Sequence, residues 1–130
     1  MLQPKERPES LSGVTTRVRT GHGNLYVTVN LDAHATPFEV FAALGKAGGC
    51  DHAQGEALCR MVSMALRLGA SVEMIVRQLR GITCCPFWDE GVQVMSVPDG
   101  ISRVLEKYVS KELGKEPRGI DGDKKAGGSE

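Results

Sequence analysis

The sequence has no apolar run long enough to cross a bilayer and no net charge. It also has no secretory signal peptide at its N-terminus. Its apolar runs are far shorter than the roughly 20 residues that a membrane-spanning helix needs. The opening residues, MLQPKERPES, lack the apolar core of a secretory signal. Sixteen basic residues balance sixteen acidic ones, so no overall field attracts a polyanion. We therefore expect a soluble, cytoplasmic protein with neither a nucleic acid nor a membrane as a direct partner, although a local anion site remains open.

The four cysteines include no CxxC pair, which is the usual spacing of zinc ligands. Without a secretory signal, these thiols indicate a reducing compartment, where they serve metal binding, redox chemistry or packing. Cys59 falls inside a helical pattern and is expected to be a small buried apolar residue. Cys50, Cys84 and Cys85 are the candidate thiol or metal residues, for zinc or another thiol-bound metal. Buried or incidental thiols are the alternative.

The order of the patterns predicts an α+β fold. Apolar and polar residues alternate over residues 14–18 and 25–31, and a third strand is expected at 37–44. Short connections between these strands favour an antiparallel meander. Two helical stripes follow, over residues 53–68 and 72–79, with Ser71 as the cap of the second. The prediction is a small antiparallel meander packed against about three helices.

The last part of the folded region contains a capping pattern. A short strand is expected at residues 91–95. Ser96 then precedes Pro98 and Asp99, so that Ser96 caps a helix and Asp99 returns a hydrogen bond to the cap. The domain boundaries that follow are a flexible segment at residues 1–13, a folded domain at 14–113 and a disordered tail at 114–130. The tail has almost nothing to bury.

A glycine-rich loop enters the long helix and is a candidate anion site. Its residues are Gly45, Lys46, Gly48 and Gly49, where backbone amides, a helix N-terminus and one cation meet. The spacing is not that of a Walker A loop. A tight connection between sheet and helix is the alternative interpretation.

Other polar and aromatic residues give weaker signals. His22 and His34 fall in predicted turns without an adjacent ligand, so we expect them to be surface residues. Trp88 is expected to cover the core under an irregular loop, with nucleobase stacking as the alternative. No nucleophile elbow or Ser-His-Asp arrangement is present.

Several ordered blocks resemble one known family, the TSCPD domain. They are YVTVNLDAHATPFEVFAALGKAGGC, EALCRMVSMALRLGAS, IVRQLRGITC and SVPDGISRVL. The resemblance covers about residues 21–108. TSCPD domains occur near the C-terminus of adenosylcobalamin-dependent (class II) ribonucleotide reductases and as short stand-alone proteins.

The resemblance implies roles for particular positions. The family's cysteine after the glycine loop falls on Cys50, and that of its GIxC stretch falls on Cys84. The cysteine of the naming motif falls on Val97, whereas the motif's proline and aspartate are present as Pro98 and Asp99. If the family's three thiols act together, this protein either lost that activity or uses Cys85 instead.

The implied function is that of an accessory domain related to ribonucleoside-diphosphate reductase, in deoxyribonucleotide synthesis. The chain is too short for the reductase's catalytic barrel, so the resemblance implies no complete enzyme. Adenosylcobalamin would be involved only through a separate reductase chain as the partner. The alternative is a stand-alone regulatory module that binds a metal, a nucleotide or another anion.

Overall fold

The computed structural model describes residues 2–45 and 48–109. The elements, in chain order, are β1 (Ser12–Thr20), β2 (Gly23–Leu31), β3 (Pro37–Leu44), α1 (Gly49–Arg67), α2 (Val72–Leu79), β4 (Phe87–Asp89), β5 (Val92–Val94) and α3 (Val97–Leu105), followed by a 3-10 turn at Glu106–Tyr108. Strands β1, β2 and β3 form an antiparallel meander, and β4 and β5 form a separate hairpin. The α+β prediction is confirmed. The tail at 114–130 lies outside the described residues.

One face of the meander forms the floor of the core. Leu25, Val27 and Val29 on β2 are at most 1% exposed, because every second side chain of this central strand faces the helices. Helix α3 contributes Ile101 and Leu105, both fully buried. Apolar side chains from this face and from the helices bury one another and exclude water from the space between them, whereas Phe41 on the other face is exposed. A single apolar core therefore holds the sheet and the helices together.

Helix α1 covers the edge of the sheet along β3. The Ser63 hydroxyl accepts a hydrogen bond from the Val40 amide at 2.9 Å and donates one to the Val40 carbonyl at 3.2 Å. The N-terminal segment lies beside it, where the Lys5 amide donates to the Arg67 carbonyl and Arg7 pairs with Glu39. The two Ser63 hydrogen bonds satisfy the amide and the carbonyl of Val40, backbone groups that an open edge strand would leave unpaired. No helix in the described ranges is long and apolar enough to cross a membrane.

The hairpin differs from the sequence-based expectation. Residues 87–89 were expected to be irregular, but they pair with β5 as strand β4. Trp88 is 63% exposed, so the prediction that it covers the core is wrong. The alternation along β4 instead directs Asp89 toward β1, where its carboxylate accepts a hydrogen bond from the Arg19 amide at 3.0 Å. The Asp89 side chain thus joins the hairpin to the edge of the sheet.

A buried carboxylate connects α3 to the rest of the polypeptide. Asp99 is fully buried, and its oxygens accept hydrogen bonds from the Gly81 amide at 2.8 Å and the Met95 amide at 2.9 Å. Arg103 lies 3.2 Å from the same carboxylate. Burial alone would raise the pKa of Asp99, but the two amides and Arg103 together hold that pKa below its usual value. The charged form of Asp99 is therefore part of the folded state.

We expect Asp99→Ala to lower the free energy of unfolding by about 3–5 kcal/mol, because it leaves Arg103 and two amides without their buried partner. Urea unfolding followed by circular dichroism measures the loss. Glu73→Ala is the matched control, since it removes a carboxylate from an exposed pair with Arg77 and should cost no more than about 0.5 kcal/mol. Equal losses in the two variants would contradict the structural role of Asp99.

The lowered pKa of Asp99 also predicts a pH dependence of stability. Because the folded-state pKa lies below the unfolded value of about 3.9, the carboxylate stabilises the fold above that pH. This contribution is lost as the pH falls through the folded-state pKa. The difference in unfolding free energy between wild type and Asp99→Asn should be constant from about pH 5 upward and shrink below about pH 4. A difference that stays constant at low pH would show that Asp99 is not charged in the folded state.

Candidate metal centre

The turn between β1 and β2 holds His22 in a defined place. The buried Thr20 hydroxyl donates a hydrogen bond to the Gly23 carbonyl at 2.9 Å and accepts one from the His22 amide at 3.0 Å. Gly23 has a φ of 110°, a conformation that L side chains rarely adopt. The turn therefore projects the His22 imidazole from the end of the sheet, where it is only partly buried.

The loop from α2 to β4 brings two cysteines to this turn. The Cys84 amide donates to the Met95 carbonyl at 3.0 Å, and Ser96 donates its hydroxyl hydrogen to the Ile82 carbonyl. The backbone of Cys85 lies directly against Gly21. A Cβ atom at Gly21 would come within 2.5 Å of the Cys85 carbonyl oxygen and within 2.6 Å of its Cβ atom. Glycine at position 21 thus permits the two segments to meet.

His22, Cys84 and Cys85 together have the geometry of a metal site. The His22 Nε2 atom lies 3.4 Å from the Cys84 Sγ atom and 3.5 Å from the Cys85 Sγ atom. In a tetrahedral zinc site with Zn–N bonds of about 2.0 Å and Zn–S bonds of about 2.3 Å, the nitrogen lies about 3.5 Å from each sulfur. All three ligand atoms lie within 4.8 Å of one another. One ion can therefore contact all three atoms with little rearrangement.

A carboxylate orients the imidazole from its other side. Asp51, in the first turn of α1, places Oδ2 3.3 Å from the Nδ1 atom of His22. A proton on Nδ1 shared with this carboxylate leaves Nε2 with its lone pair directed at the two sulfurs. Metal-binding histidines are commonly oriented in this way, and the carboxylate makes the imidazole a stronger ligand.

The two thiols influence each other electrostatically. A hydrogen bond with Cys84 raises the pKa of Cys85, and desolvation and the charges of Cys84 and Asp51 raise it further. Two thiolates and a carboxylate in so small a volume repel one another in the absence of a cation. A bound divalent cation would remove this penalty, because its charge offsets both thiolates.

A cleft of about 490 Å³ opens beside two of the three side chains. His22 and Cys84 form part of its wall, and the first turn of α3 contributes Val97 and Pro98. Val97 is the position on which the cysteine of the family's motif falls. The structure thus places that position on the same cleft as Cys84.

The candidate thiols from the sequence are divided by the structure. Cys84 and Cys85 lie together, whereas Cys50 is exposed and is not part of the three-residue group. Cys59 is buried, and desolvation raises its pKa to about 11. A thiol with so high a pKa stays protonated and packs as an apolar group.

The candidate anion loop is only partly described. Lys46 and its neighbour lie outside the described residues, and the Gly45 amide donates to the Asn24 carbonyl at 3.0 Å. That amide is therefore already used in the fold. Gly48 is the N-cap residue of α1, and Gly49 is its first helical residue.

Ser96 caps α3 as the sequence predicted, but Asp99 does not return a hydrogen bond to the cap. Ser96 accepts a hydrogen bond from the Asp99 amide at 3.1 Å and begins α3. The Asp99 carboxylate, however, binds the amides of Met95 and Gly81 and not that of Ser96. It therefore holds the start of the cysteine loop as well as the helix.

Sequence reasoning treated His22 as a surface turn residue and missed its place in the cluster. Its two thiol partners are 62 and 63 residues away in the sequence, so no local spacing connects them. The available signal was the glycine on either side, Gly21 and Gly23, which indicates a turn with close backbone approach. His34, the other predicted turn histidine, is exposed and is not in the group.

Comparison with known proteins identifies the family to which the chain belongs. The family model described as "TSCPD domain" matches residues 2–109. The match spans well over half of the chain, so the protein belongs to the TSCPD domain family. No curated protein and no solved structure matches the chain.

We expect Gly21→Ala to disrupt the candidate centre, because its new Cβ atom would displace the Cys85 backbone from the His22 turn. The affinity for zinc, measured by competition with a chromophoric chelator, should fall at least about tenfold, as when supporting contacts of a metal ligand are removed. Gly49→Ala is the control, since a Cβ atom there meets nothing within 4 Å. An unchanged zinc affinity in Gly21→Ala would contradict this contact.

Proposed function

We propose that this TSCPD domain binds one zinc ion, or a similar thiol-preferring divalent metal, through His22, Cys84 and Cys85. The observation that carries the proposal is the pair of distances from the imidazole nitrogen, 3.4 Å and 3.5 Å, to the two sulfurs. Imidazole and thiolate ligands favour zinc over magnesium or calcium, which prefer oxygen. Asp51 supplies the supporting carboxylate from outside the ligand set.

In this proposal the metal serves regulation or the binding of another molecule. The domain does not need the metal in order to fold. The apolar core joins all three helices to the meander without involving the three ligands. Small zinc domains that depend on their metal for folding have no such core. The metal-free domain is therefore expected to remain folded, with only the His22 turn and the cysteine loop responding to the ion.

The metal content of the protein tests this proposal. Protein purified without oxygen and loaded with zinc should retain about one equivalent after gel filtration, by elemental analysis. Cys84→Ser and His22→Ala should each lose most of it, because two ligands hold an ion far more weakly than three. Circular dichroism should show that chelator-treated protein keeps its secondary structure.

Cys50→Ser is the matched control for this measurement. Cys50 is also an exposed thiol near the start of α1, but it lies outside the three-residue group, so the variant should retain zinc as wild type does. Equal retention by wild type and Cys84→Ser would contradict the proposal. Loss in Cys50→Ser with retention in Cys85→Ser would instead assign the thiol set to Cys50 and Cys84.

A second candidate function concerns a partner chain. Membership of the TSCPD family supports an accessory role toward an adenosylcobalamin-dependent ribonucleotide reductase. The described residues form a three-stranded sheet with three helices and contain no α/β barrel. In this proposal the domain acts on a separate catalytic chain, and adenosylcobalamin is bound by that chain.

The partner proposal is tested by adding the domain to a class II reductase chain that lacks it. Co-elution of the two chains and an increased rate of deoxyribonucleotide formation would support the accessory role. Absence of both effects, with the domain folded and metal-loaded, would reject this role while leaving the metal proposal intact.

A further inference from the structure

We infer that the metal centre keeps a fourth coordination position open toward the cleft, and that this position takes a thiolate from outside the domain. This inference rests on the proposed metal function and adds to it the class of ligand. The protein ligands are His22, Cys84 and Cys85, and the cleft is the one of about 490 Å³ beside the first two of them.

The number of ligands leaves one position free. Tetrahedral zinc takes four ligands, and structural sites fill all four with protein side chains. Within the described part of the chain, the group contains three ligand atoms. The nearest carboxylate, that of Asp51, faces the Nδ1 atom of His22, on the opposite side of the ring from the sulfurs. The ligand atoms grouped in the described residues thus leave the fourth position to solvent or to another molecule.

The cleft gives such a molecule access to the centre. His22 and Cys84 lie on its wall, so a ligand in the cleft is adjacent to both. Leu58, Ile82 and Val97 make much of the remaining wall apolar, and its polar lining residues are Asp51, Gln54 and Ser96. The valine side chain offers no donor atom to the ion. The cleft thus admits a molecule with an apolar body and a single donor atom directed at the metal.

The chemistry of the centre favours a thiolate as that donor. One zinc ion with two thiolates and a neutral imidazole carries no net charge, so a further anion meets no net repulsion from this first shell. Thiolate ligands suit zinc better than hard oxygen donors when the other ligands are sulfur and nitrogen. Addition of a thiolate gives the Cys3His set that is common in closed zinc sites. The thiol loses its proton to the buffer on binding, and no redox change is involved.

Cobalt substitution makes the open position visible, because Co²⁺ replaces zinc and absorbs light according to its ligands. The full chain, loaded with Co²⁺ without oxygen, is titrated with 2-mercaptoethanol, with a peptide containing one cysteine, and with the serine form of that peptide. We expect a saturable rise in sulfur-to-cobalt charge-transfer absorption at one thiol per cobalt, and none with the serine peptide or acetate.

Cobalt content after gel filtration shows whether the thiol has removed the metal. Tighter binding of the cysteine peptide would identify a protein partner as the source, and tighter binding of the small thiol a metabolite.

Val97→Cys tests the direction of the open position. Val97 lines the cleft with Cys84, so a thiol there should occupy the free position and reduce the response to added thiol at least tenfold. Val14→Cys is the control, because Val14 is 58% exposed on β1 and does not line the cleft. This variant should respond as wild type does. A full response in Val97→Cys, with the variant folded by circular dichroism, would overturn the assignment of the open position to the cleft.

Two outcomes would overturn the inference as a whole. Cobalt-loaded wild type that shows no response to either thiol has no open position. A response that appears only in Cys50→Ser would show that Cys50 closes the site within the chain. In both cases the metal is still bound and the proposed function stands. Failure to bind cobalt or zinc at all would reject the proposed function and the inference with it.

Discussion

The buried carboxylate of Asp99 is the interaction on which the rest of the structure depends. It joins the end of α2, through the Gly81 amide, to the start of α3, through the Met95 amide. The loop that carries both site cysteines lies between these two anchor points in the sequence. Since the Cys84 amide also binds the Met95 carbonyl, Asp99 is linked through Met95 to the backbone that carries the sulfurs. The same residue therefore serves the fold and, through the loop, the candidate metal centre.

The fold was largely predictable because its signals are local. Leu25, Val27 and Val29 alternate with polar residues, and they form the buried face of β2 as expected. Ser96 precedes proline and aspartate in a pattern that begins a helix, and α3 begins there. Such patterns depend on neighbours within a few residues, which the sequence displays directly. Strand β4 was missed because Trp88 and its neighbours are exposed and show no apolar alternation.

The candidate site was less predictable because it joins segments that are distant in sequence. Cys84 and Cys85 were expected to be thiol or metal residues, but the expected third partner was Cys50. The structure supplies His22 instead, from a turn more than 60 residues earlier. Only the docking of the cysteine loop against Gly21 brings them together. That contact is between segments more than 60 residues apart, which no local spacing encodes.

Membership of the TSCPD family is shown over residues 2–109, and the proposed metal centre gives this member a specific chemistry. The central claim is that one ion is held by one imidazole and two thiolates. X-ray absorption spectroscopy of the zinc-loaded protein tests it most directly. The account predicts a first shell with two sulfur atoms at about 2.3 Å and an imidazole nitrogen at about 2.0 Å. A shell of oxygen and nitrogen alone would contradict it.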